Sequence, residues 1–383
     1  MRIVHTSDWH IGRRFERESL EADQRAFLSW LAALIESRRV DLLIVAGDIY
    51  DRAMPAEDAV TLLDEGIDLL RAAGAEIALI AGNHDSARRL GFGARRQALG
   101  GVHVFADERS RPRPLRLQIG GDEVFLLGVP YLDPALVTGV YDDDAEIPRQ
   151  RSHESVLSAA LELGRSAIGA PSIVIAHAFV TGAATSDSER SLAVGGADRV
   201  DAGIFDGFDY VALGHLHRPQ TLGSDRIAYS GSPIPYSFSE TAPKSVRLLE
   251  TAGSAITSIE EIPVPVGRGV ATINGTLGEL LEDPAHEAIA DRWVCAELSD
   301  ETTQVMALER LQSRFPFATT VRYATRAQSS PTGIDLEAED PASMPTEEIV
   351  FSFLADLRDR EATEAERELV RAAVQQAERS MER

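Results

Sequence analysis

Cysteine and lysine are almost missing from this chain: its 383 residues hold one of each, Cys295 and Lys244. A single cysteine excludes an internal disulfide and fits a reducing, cytoplasmic setting. Cys295 itself reads as a small core residue in a late part of the chain, too remote from the polar clusters described below to serve as nucleophile. With one lysine, nearly all positive charge is arginine, which reads as a compositional bias. No uninterrupted apolar run reaches about 18 residues, and the N-terminus enters a strand pattern at once, so neither a membrane span nor a secretory leader is expected. Basic side chains are outnumbered, 38 to 61, for a formal net charge of −23. That balance argues against passive binding to nucleic acid through an overall field. It leaves nucleic acid open as a substrate, because two divalent ions would reverse the local sign and a partner subunit could supply basic surface. A Gly-rich Walker loop and a GxSxG nucleophile elbow are also absent.

What is present is a soluble globular composition, 44% hydrophobic and 26% charged, in a chain too long for one ordinary core. Two or three domains are therefore expected. The chain is organised around apolar runs that stop abruptly on polar residues. Residues 2–8 read RIVHTSD and continue WHIG; 41–51 read DLLIVAGDIYD; 76–85 read EIALIAGNHD; SIVIAH ends at His177; and DYVALGHLH supplies His215 and His217. Strands of an α/β sheet present their C-terminal ends to one crevice, so these distant residues can meet. Asp8, His10, Asp48, Asn83, His84, His177, His215 and His217 are the candidates for a single site. Their oxygens and imidazole nitrogens, without thiolate, suit Mn, Fe or Zn.

Along the chain, Phe27, Leu28, Leu31, Leu34 and Ile35 mark one face of a helix within residues 20–37. Strand 41–47, a helix over about 56–73 and strand 76–82 continue a βαβαβ pattern of parallel sheet. Further strands are predicted at 102–107 and 123–130, a helix at 153–165, a Gly-, Ser- and Asp-rich loop at 181–200, and strands of a second sheet layer in RIAYSG and SVRLLE. Composition shifts near Pro263 and Pro265, giving a first domain over 1–262 and a compact βαβαβ unit over 263–326. Residues 327–342 are polar, acidic and Pro-containing, a linker. Two short helices are expected in 343–383. One carries Ile349, Val350, Phe353, Leu354 and Leu357 on a single face. The other opens with Thr363 and Glu366 as a capping box and carries Leu369, Val370, Val374 and Met381. Helices this small need a dock for their apolar faces, either the body of this chain or another protein.

The clusters carry the chemistry. In an extended strand i and i+2 point the same way, so Asp8 and His10 can grip one ion, and His215 and His217 form a same-side pair. Asp48 has two oxygens with which to bridge two cations about 3.5–4 Å apart. Asn83 offers an amide oxygen. His84, one residue on, is better placed to reach substrate, with Asp85 holding its imidazole. Each cluster alone has a bland explanation, such as a helix N-cap for Asp48; five in this order, each after a strand, do not. His5, His103, His153 and His286 read as core or surface residues. A paired-metal site clamps the attacking and leaving oxygens of an in-line displacement at phosphorus, so metal-assisted phosphoester hydrolysis follows.

DWH, GDIYD, GNHD, the lone His177 and GHLH resemble the calcineurin-like metallophosphoesterase signature. The longer stretches SDWHIG, GDIYDRAMP, GNHDS, ERSLAVGG, YVALGHLHRPQ and YSGSPIPYSFSE resemble the SbcD family of bacterial nuclease subunits, relatives of double-strand-break repair nucleases. The resemblance covers most of residues 1–250. It implies an α/β fold with a two-layered β-sheet core flanked by helices, in four αββα layers, with a small α+β cap and a C-terminal helical pair. It implies two divalent ions, Mn foremost, with Mg, Fe or Zn as alternatives. Asp8, His10, Asp48 and His217 would hold one ion, and Asp48, Asn83, His177 and His215 the other. His84 would stabilise the transition state or protonate the leaving oxygen, with Asp85 orienting it. The partners implied are DNA ends and hairpins and an SbcC-type SMC-like ATPase, within a heterotetramer containing a homodimer of this subunit. The cap would face DNA, and the terminal helices would dock on the ATPase. Arg13, Arg14 and Arg17, with Arg88, Arg89, Arg95 and Arg96, follow the first and third clusters and are candidate phosphate contacts. Ser232 and Pro233 lie near the site by the same resemblance, without a role. Two rivals stay open: a small-molecule phosphodiesterase or phosphatase of the same chemistry, and a non-enzymatic scaffold of an ATPase complex.

Overall fold

The apolar runs before the polar clusters lack the in–out alternation of a half-exposed strand, so both of their faces must be covered. The computed structural model shows what covers them. It describes residues 1–107, 112–137, 152–165, 167–189, 199–323 and 362–381, together with 347, 350 and 351. The chain divides into Met1–Glu297 with Gln304–Arg322, and Leu298–Thr303 with Tyr323–Arg383.

The first unit opens with β1 (Arg2–Thr6), a hairpin of β2 (Arg14–Phe15) and β3 (Glu18–Ser19), α1 (Glu21–Arg38), β4 (Leu42–Val45), α2 (Glu57–Ala72) and β5 (Glu76–Ile80). Two one-turn helices, α3 (Ala87–Leu90) and α4 (Ala94–Gln97), lead to β6 (Val102–Phe105). There follow β7 (Leu115–Ile119), β8 (Asp122–Val129), α5 (His153–Arg165), β9 (Ser172–His177), the short pair β10 (Phe179–Val180) and β11 (Arg199–Val200), and β12 (Tyr210–Gly214). Next come β13 (Gln220–Leu222), β14 (Ser224–Tyr229), and the hairpin β15 (Ser245–Ala252) and β16 (Ala255–Pro263). The remaining elements are β17 (Val270–Gly275), α6 (Leu277–Glu282), β18 (Trp293–Leu298), α7 (Ala307–Gln312) and β19 (Ala318–Tyr323).

Two six-stranded sheets form, ordered β16-β15-β1-β4-β5-β6 and β13-β14-β12-β9-β8-β7. In the first, β1, β4, β5 and β6 are parallel; in the second, β8, β9, β12 and β14 are. Alternate side chains sort into separate layers. Leu42 and Ile44 of β4 meet Leu126, Ile173, Ile175 and Ala212 of the opposite sheet. Leu43 and Val45 face α1 and α2 through Phe27, Leu28, Leu31 and Leu62. On the far side, Val174 and Ala176 pack against Leu157, Ala160 and Leu161 of α5. The result is the four-layer αββα arrangement, with each buried aliphatic worth roughly 1.5–3 kcal/mol. The face predicted for α1 is the one buried, and the helix predicted at 153–165 forms over those residues.

Residues 270–323 follow the expected β-α-β-α-β order, with a three-stranded sheet β17-β18-β19. Trp293 stacks on Phe15 with ring centroids 5.3 Å apart and planes 11° from parallel. That contact joins the small sheet to the β2–β3 hairpin, beside Ile234 and Tyr236. Cys295 is buried in β18, as a core residue should be.

In the second unit, α8 (Glu364–Met381) opens with the expected capping box. Thr363 N–H donates to Glu366 Oε2 at 2.8 Å, and Glu366 N–H to Thr363 Oγ1 at 3.4 Å. Leu369 is 71% exposed, whereas Val370 and Val374 are half-buried. Ile349, Phe353, Leu354, Leu357 and the linker 327–342 lie outside the described residues; Val350 is helical.

The layer between the sheets sets a test. Leu126→Ala should lower the unfolding free energy by about 2–5 kcal/mol, whereas Leu99→Ala, at a side chain 90% exposed, should stay within about 0.5 kcal/mol. Urea titration followed by circular dichroism measures both; equal effects would place Leu126 outside a packed core.

Candidate metal centre

Except for β9, which ends on His177 itself, the strands stop short of the polar residues they deliver. β1 ends at Thr6 and β12 at Gly214, so Asp8, His10, His215 and His217 stand in the loops beyond. Asp8, His10, Asp48 and His215 adopt left-handed backbone, with φ of 53°, 43°, 50° and 104°. Such conformations cost about 1–3 kcal/mol each and persist only where the surroundings enforce them. The loop after β1 is pinned to the loop after β4 by Asp8 N–H to Gly47 O (3.0 Å), His10 N–H to Asp48 O (2.9 Å) and Ile11 N–H to Ile49 O (2.9 Å). Asp8 and His10 do share one cluster, as expected, but left-handed turns rather than strand alternation set their directions. His215 and His217 in fact turn to different clusters.

Glycine before the ligands has a steric cause. A Cβ on Gly82 would stand 2.1 Å from Asp48 Oδ1, and one on Gly214 would stand 1.9 Å from the carbonyl oxygen of Ala46. Gly214 meets the end of the opposite sheet and Gly82 the neighbouring strand's loop in its own sheet, and at both only hydrogen fits.

Two groups of donor atoms result. In one, His10 Nε2 lies 3.1 Å from His217 Nε2 and 3.5 Å from Asp48 Oδ2; Asp8 joins His10 and His217 with ligand atoms all within 4.8 Å of one another. In the other, Asn83 Oδ1 lies 2.9 Å from His177 Nε2 and 3.1 Å from His215 Nδ1, and His177 Nε2 is 3.5 Å from Asp48 Oδ2. Bonds of about 2.1 Å to a small cation put neighbouring donors roughly 3.0–3.4 Å apart, close to the 2.9–3.5 Å of the pairs above. Asp48 belongs to both groups through one oxygen, Oδ2; its Oδ1 accepts the His84 N–H at 2.9 Å. Asp48 would thus take part in holding both ions.

The donor chemistry fits cations. His177 Nδ1 donates to the Ala46 carbonyl at 2.9 Å, so in the neutral ring Nε2 is a bare lone pair. That lone pair faces Asn83 Oδ1 and Asp48 Oδ2, an arrangement of acceptors that needs positive charge among them. Without an ion, a second proton on the His177 ring meets the same need. Burial would raise the Asp48 carboxyl, but the surrounding His177, His10 and His84 outweigh it and hold the group well below the usual range. Burial would lower His177, yet Asp48 and Asp8 push it up to about 9. Asp8 rises to about 6, chiefly through burial. Burial is also the main reason that His215 falls to about 3 and His10 falls well below its ordinary value.

His84 is oriented differently from expectation. Its Nδ1 donates to the Asp51 carbonyl at 2.8 Å, while Nε2 turns to the centre, 4.0 Å from Asp48 Oδ2. Asp85 does not orient it. The Asp85 carboxylate accepts the N–H groups of Ile49 (3.0 Å), Tyr50 (2.9 Å) and Gly82 (2.9 Å), tying the β4 and β5 loops together. A carboxylate satisfied by three amides has no reason to turn to an imidazole that a carbonyl already holds.

Of the arginines, Arg13 alone is brought beside the cluster, 3.3 Å from Asp51 Oδ1, bonded to Ser188 O at 3.2 Å and stacked over Tyr236. Arg14 bonds the Arg17 carbonyl within the β2–β3 hairpin, Arg89 bonds Ala53 O, and Arg88, Arg95 and Arg96 are exposed on α3 and α4. His5 is a satisfied core histidine between Tyr210 OH and Leu213 O, and His103 pairs with Glu76.

Sequence reasoning missed the groups behind the ligands. Ser7 Oγ donates to Asp8 Oδ2 at 2.6 Å, Tyr236 OH to Trp9 O at 2.6 Å, and Glu189 Oε1 accepts the His217 N–H at 2.8 Å. Glu240 and Lys244 form a buried ion pair, and Lys244 Nζ also donates to His217 O at 2.9 Å and to Ser232 Oγ at 2.8 Å. A signal existed: Lys244 is the sole lysine, four residues after the glutamate of YSFSE.

With the geometry in place, comparison with known proteins is direct. A family model for calcineurin-like phosphoesterase matches residues 1–219, and the chain belongs to that family, whose members are metal-dependent phosphoesterases with a dinuclear centre. Solved structures similar to it include calcineurin-like phosphoesterase YfkN from Bacillus subtilis, 14% identical over 70% of this chain and 92% of that one (TM-score 0.40). A dimetal phosphatase from Danio rerio is 12% identical over 69% and 99% (TM-score 0.42). No helix among the described residues is long and apolar enough to cross a membrane.

Because Asp48 Oδ2 serves both groups and Asn83, His177 and His215 only one, metal content should separate them. Asp48→Ala should lose both ions, and His215→Ala one. Metal analysis of protein dialysed against Mn checks this; two ions retained in Asp48→Ala would refute the shared oxygen.

Proposed function

We propose that this phosphoesterase is the nuclease subunit of an SbcCD-type complex, hydrolysing DNA phosphodiesters at ends and hairpins together with an SbcC-type SMC-like ATPase. The observation that carries the reading concerns the stretches of SbcD resemblance lying outside the ligand set. ERSLAVGG begins with Glu189 on the His217 amide, and YSGSPIPYSFSE contributes Ser232, Tyr236 and Glu240 around the same histidine and the Asp8–Trp9 carbonyls. The stretches that resemble SbcD outside the ligand set thus support the centre itself.

In this reading Asp8, His10, Asp48 and His217 hold one ion and Asp48, Asn83, His177 and His215 the other. Nitrogen and oxygen ligands favour Mn. The bound pair would activate a water and neutralise charge on the phosphoryl group. His84, fixed through Nδ1, presents Nε2 to protonate or stabilise the leaving oxygen. Arg13 would meet a flanking phosphate. The unit 263–326 faces DNA, and residues 343–383 dock on the ATPase, which supplies the positive surface that a chain of net charge −23 lacks. A homodimer of this subunit within a heterotetramer completes the assembly.

The decisive assay incubates purified protein, Mn and labelled hairpin or linear duplex, with and without chelator. Chelator-sensitive cutting is expected; hydrolysis of bis-p-nitrophenyl phosphate without DNA cutting, even with the ATPase present, would favour a small-molecule phosphodiesterase. His84→Ala should keep its metal and lose about 10²–10⁴-fold in cleavage rate. Loss of metal would show that the imidazole is a ligand instead. Removing residues 343–383 should spare Mn-dependent cutting and abolish ATP-dependent processing, and normal binding of the truncated chain to its ATPase would contradict the docking role.

A further inference from the structure

The buried pair Glu240–Lys244 does more than fill space behind His217. Lys244 Nζ carries three protons and meets three acceptors: Glu240 Oε2, Ser232 Oγ and His217 O. The flat, five-donor fork of an arginine would leave donors unmet in this position, in a chain that otherwise uses arginine throughout. Held in this way, Glu240 turns its other oxygen, Oε1, to Ser188 Oγ at 2.5 Å and to the Tyr236 N–H at 3.0 Å. Ser188 Oγ is in turn 2.6 Å from His217 Nδ1.

Counting protons gives this chain of contacts one direction. An ionised carboxylate only accepts, so the single hydroxyl proton of Ser188 goes to Glu240. The serine oxygen is then an acceptor, and the proton between it and the imidazole must sit on His217 Nδ1. Ser186 Oγ, 2.9 Å from Ser188 Oγ, does not alter this, because Glu189 Oε2 accepts its proton at 2.9 Å. A neutral imidazole with Nδ1 protonated exposes a lone pair on Nε2, the atom that faces His10 Nε2.

We infer that Ser188 and Glu240, anchored by Lys244, are positioning residues that lock His217 in its Nδ1–H form and aim Nε2 at the ion shared with His10. The three act through His217 and do not touch substrate. Groups that orient a metal-binding histidine typically change metal affinity by about 10–100-fold when removed. The inference rests on the paired-metal centre and not on DNA as substrate.

Nitrogen-15 histidine NMR of the metal-free full-length protein reads the tautomer, and Mn titration by calorimetry reads the two affinities. The wild type should show His217 as the Nδ1–H form. Ser188→Ala and Glu240→Gln should give mixed tautomers and weaken one Mn site by about 10–100-fold, leaving the other unchanged. Ser188→Thr keeps the hydroxyl and should restore both readouts. If Glu240→Gln fails to fold, Ser188→Ala decides, since it leaves the Glu240–Lys244 pair intact. A folded Ser188→Ala protein with wild-type tautomer and affinities would overturn the inference. Failure of the wild type to bind Mn at all would instead count against the centre.

Discussion

One carboxylate, Asp48, sits where the C-terminal edges of two sheets meet, and the remaining structure arranges itself so that this charge can stay buried. An isolated carboxylate in such a place would cost several kcal/mol in lost hydration. Here one oxygen receives the His84 amide and the other stands among His10, His84 and His177. The close approach that makes this possible requires bare hydrogen at Gly82 and Gly214. It also requires left-handed backbone at Asp8, His10, Asp48 and His215. That strain is held in place by the packed layer between the sheets and by amide bonds linking the loops, among them the three to Asp85.

The layers around this point divide the work. Parallel strands, covered on both faces, make a rigid frame whose ends all reach the same edge. Loops carry the donor atoms, and their freedom is removed by hydrogen bonds rather than by strand pairing. Behind the ligands, Ser188, Glu189, Tyr236, Glu240 and Lys244 connect His217 and the Asp8–Trp9 carbonyls to elements far along the chain. The small sheet reaches the same region through Trp293 against Phe15. Support for the ligands and contact with the small sheet therefore converge on the segment between β1 and α1.

Much of this was readable in advance, for a physical reason. A strand buried on both faces must be an unbroken apolar run, so β4, β5, β9 and β12 announce themselves, and the polar residues that end them stand out by contrast. The spacing of Phe27, Leu28, Leu31, Leu34 and Ile35 likewise marks the buried face of α1. Two details were not readable. Alternation along a strand suggested that Asp8 and His10, and His215 and His217, point alike, but none of the four lies in a strand. Adjacency suggested that Asp85 serves His84, but its carboxylate is drawn to three amides from two loops. Lys244 looked like a trace of arginine-rich composition until its three acceptors were seen.

By itself, then, the sequence determined the order of the main elements and singled out the candidate side chains at the ends of apolar runs, because burial and periodicity are local properties of the string; the layered architecture came with the family resemblance. Only the tertiary structure decided which imidazole joins which group, that one Asp48 oxygen faces both groups, and which distant side chains steady His217. Those choices depend on positive-φ turns and on contacts between residues up to 228 positions apart, such as Tyr236 OH on the Asp8 carbonyl. No window of neighbouring residues contains that information.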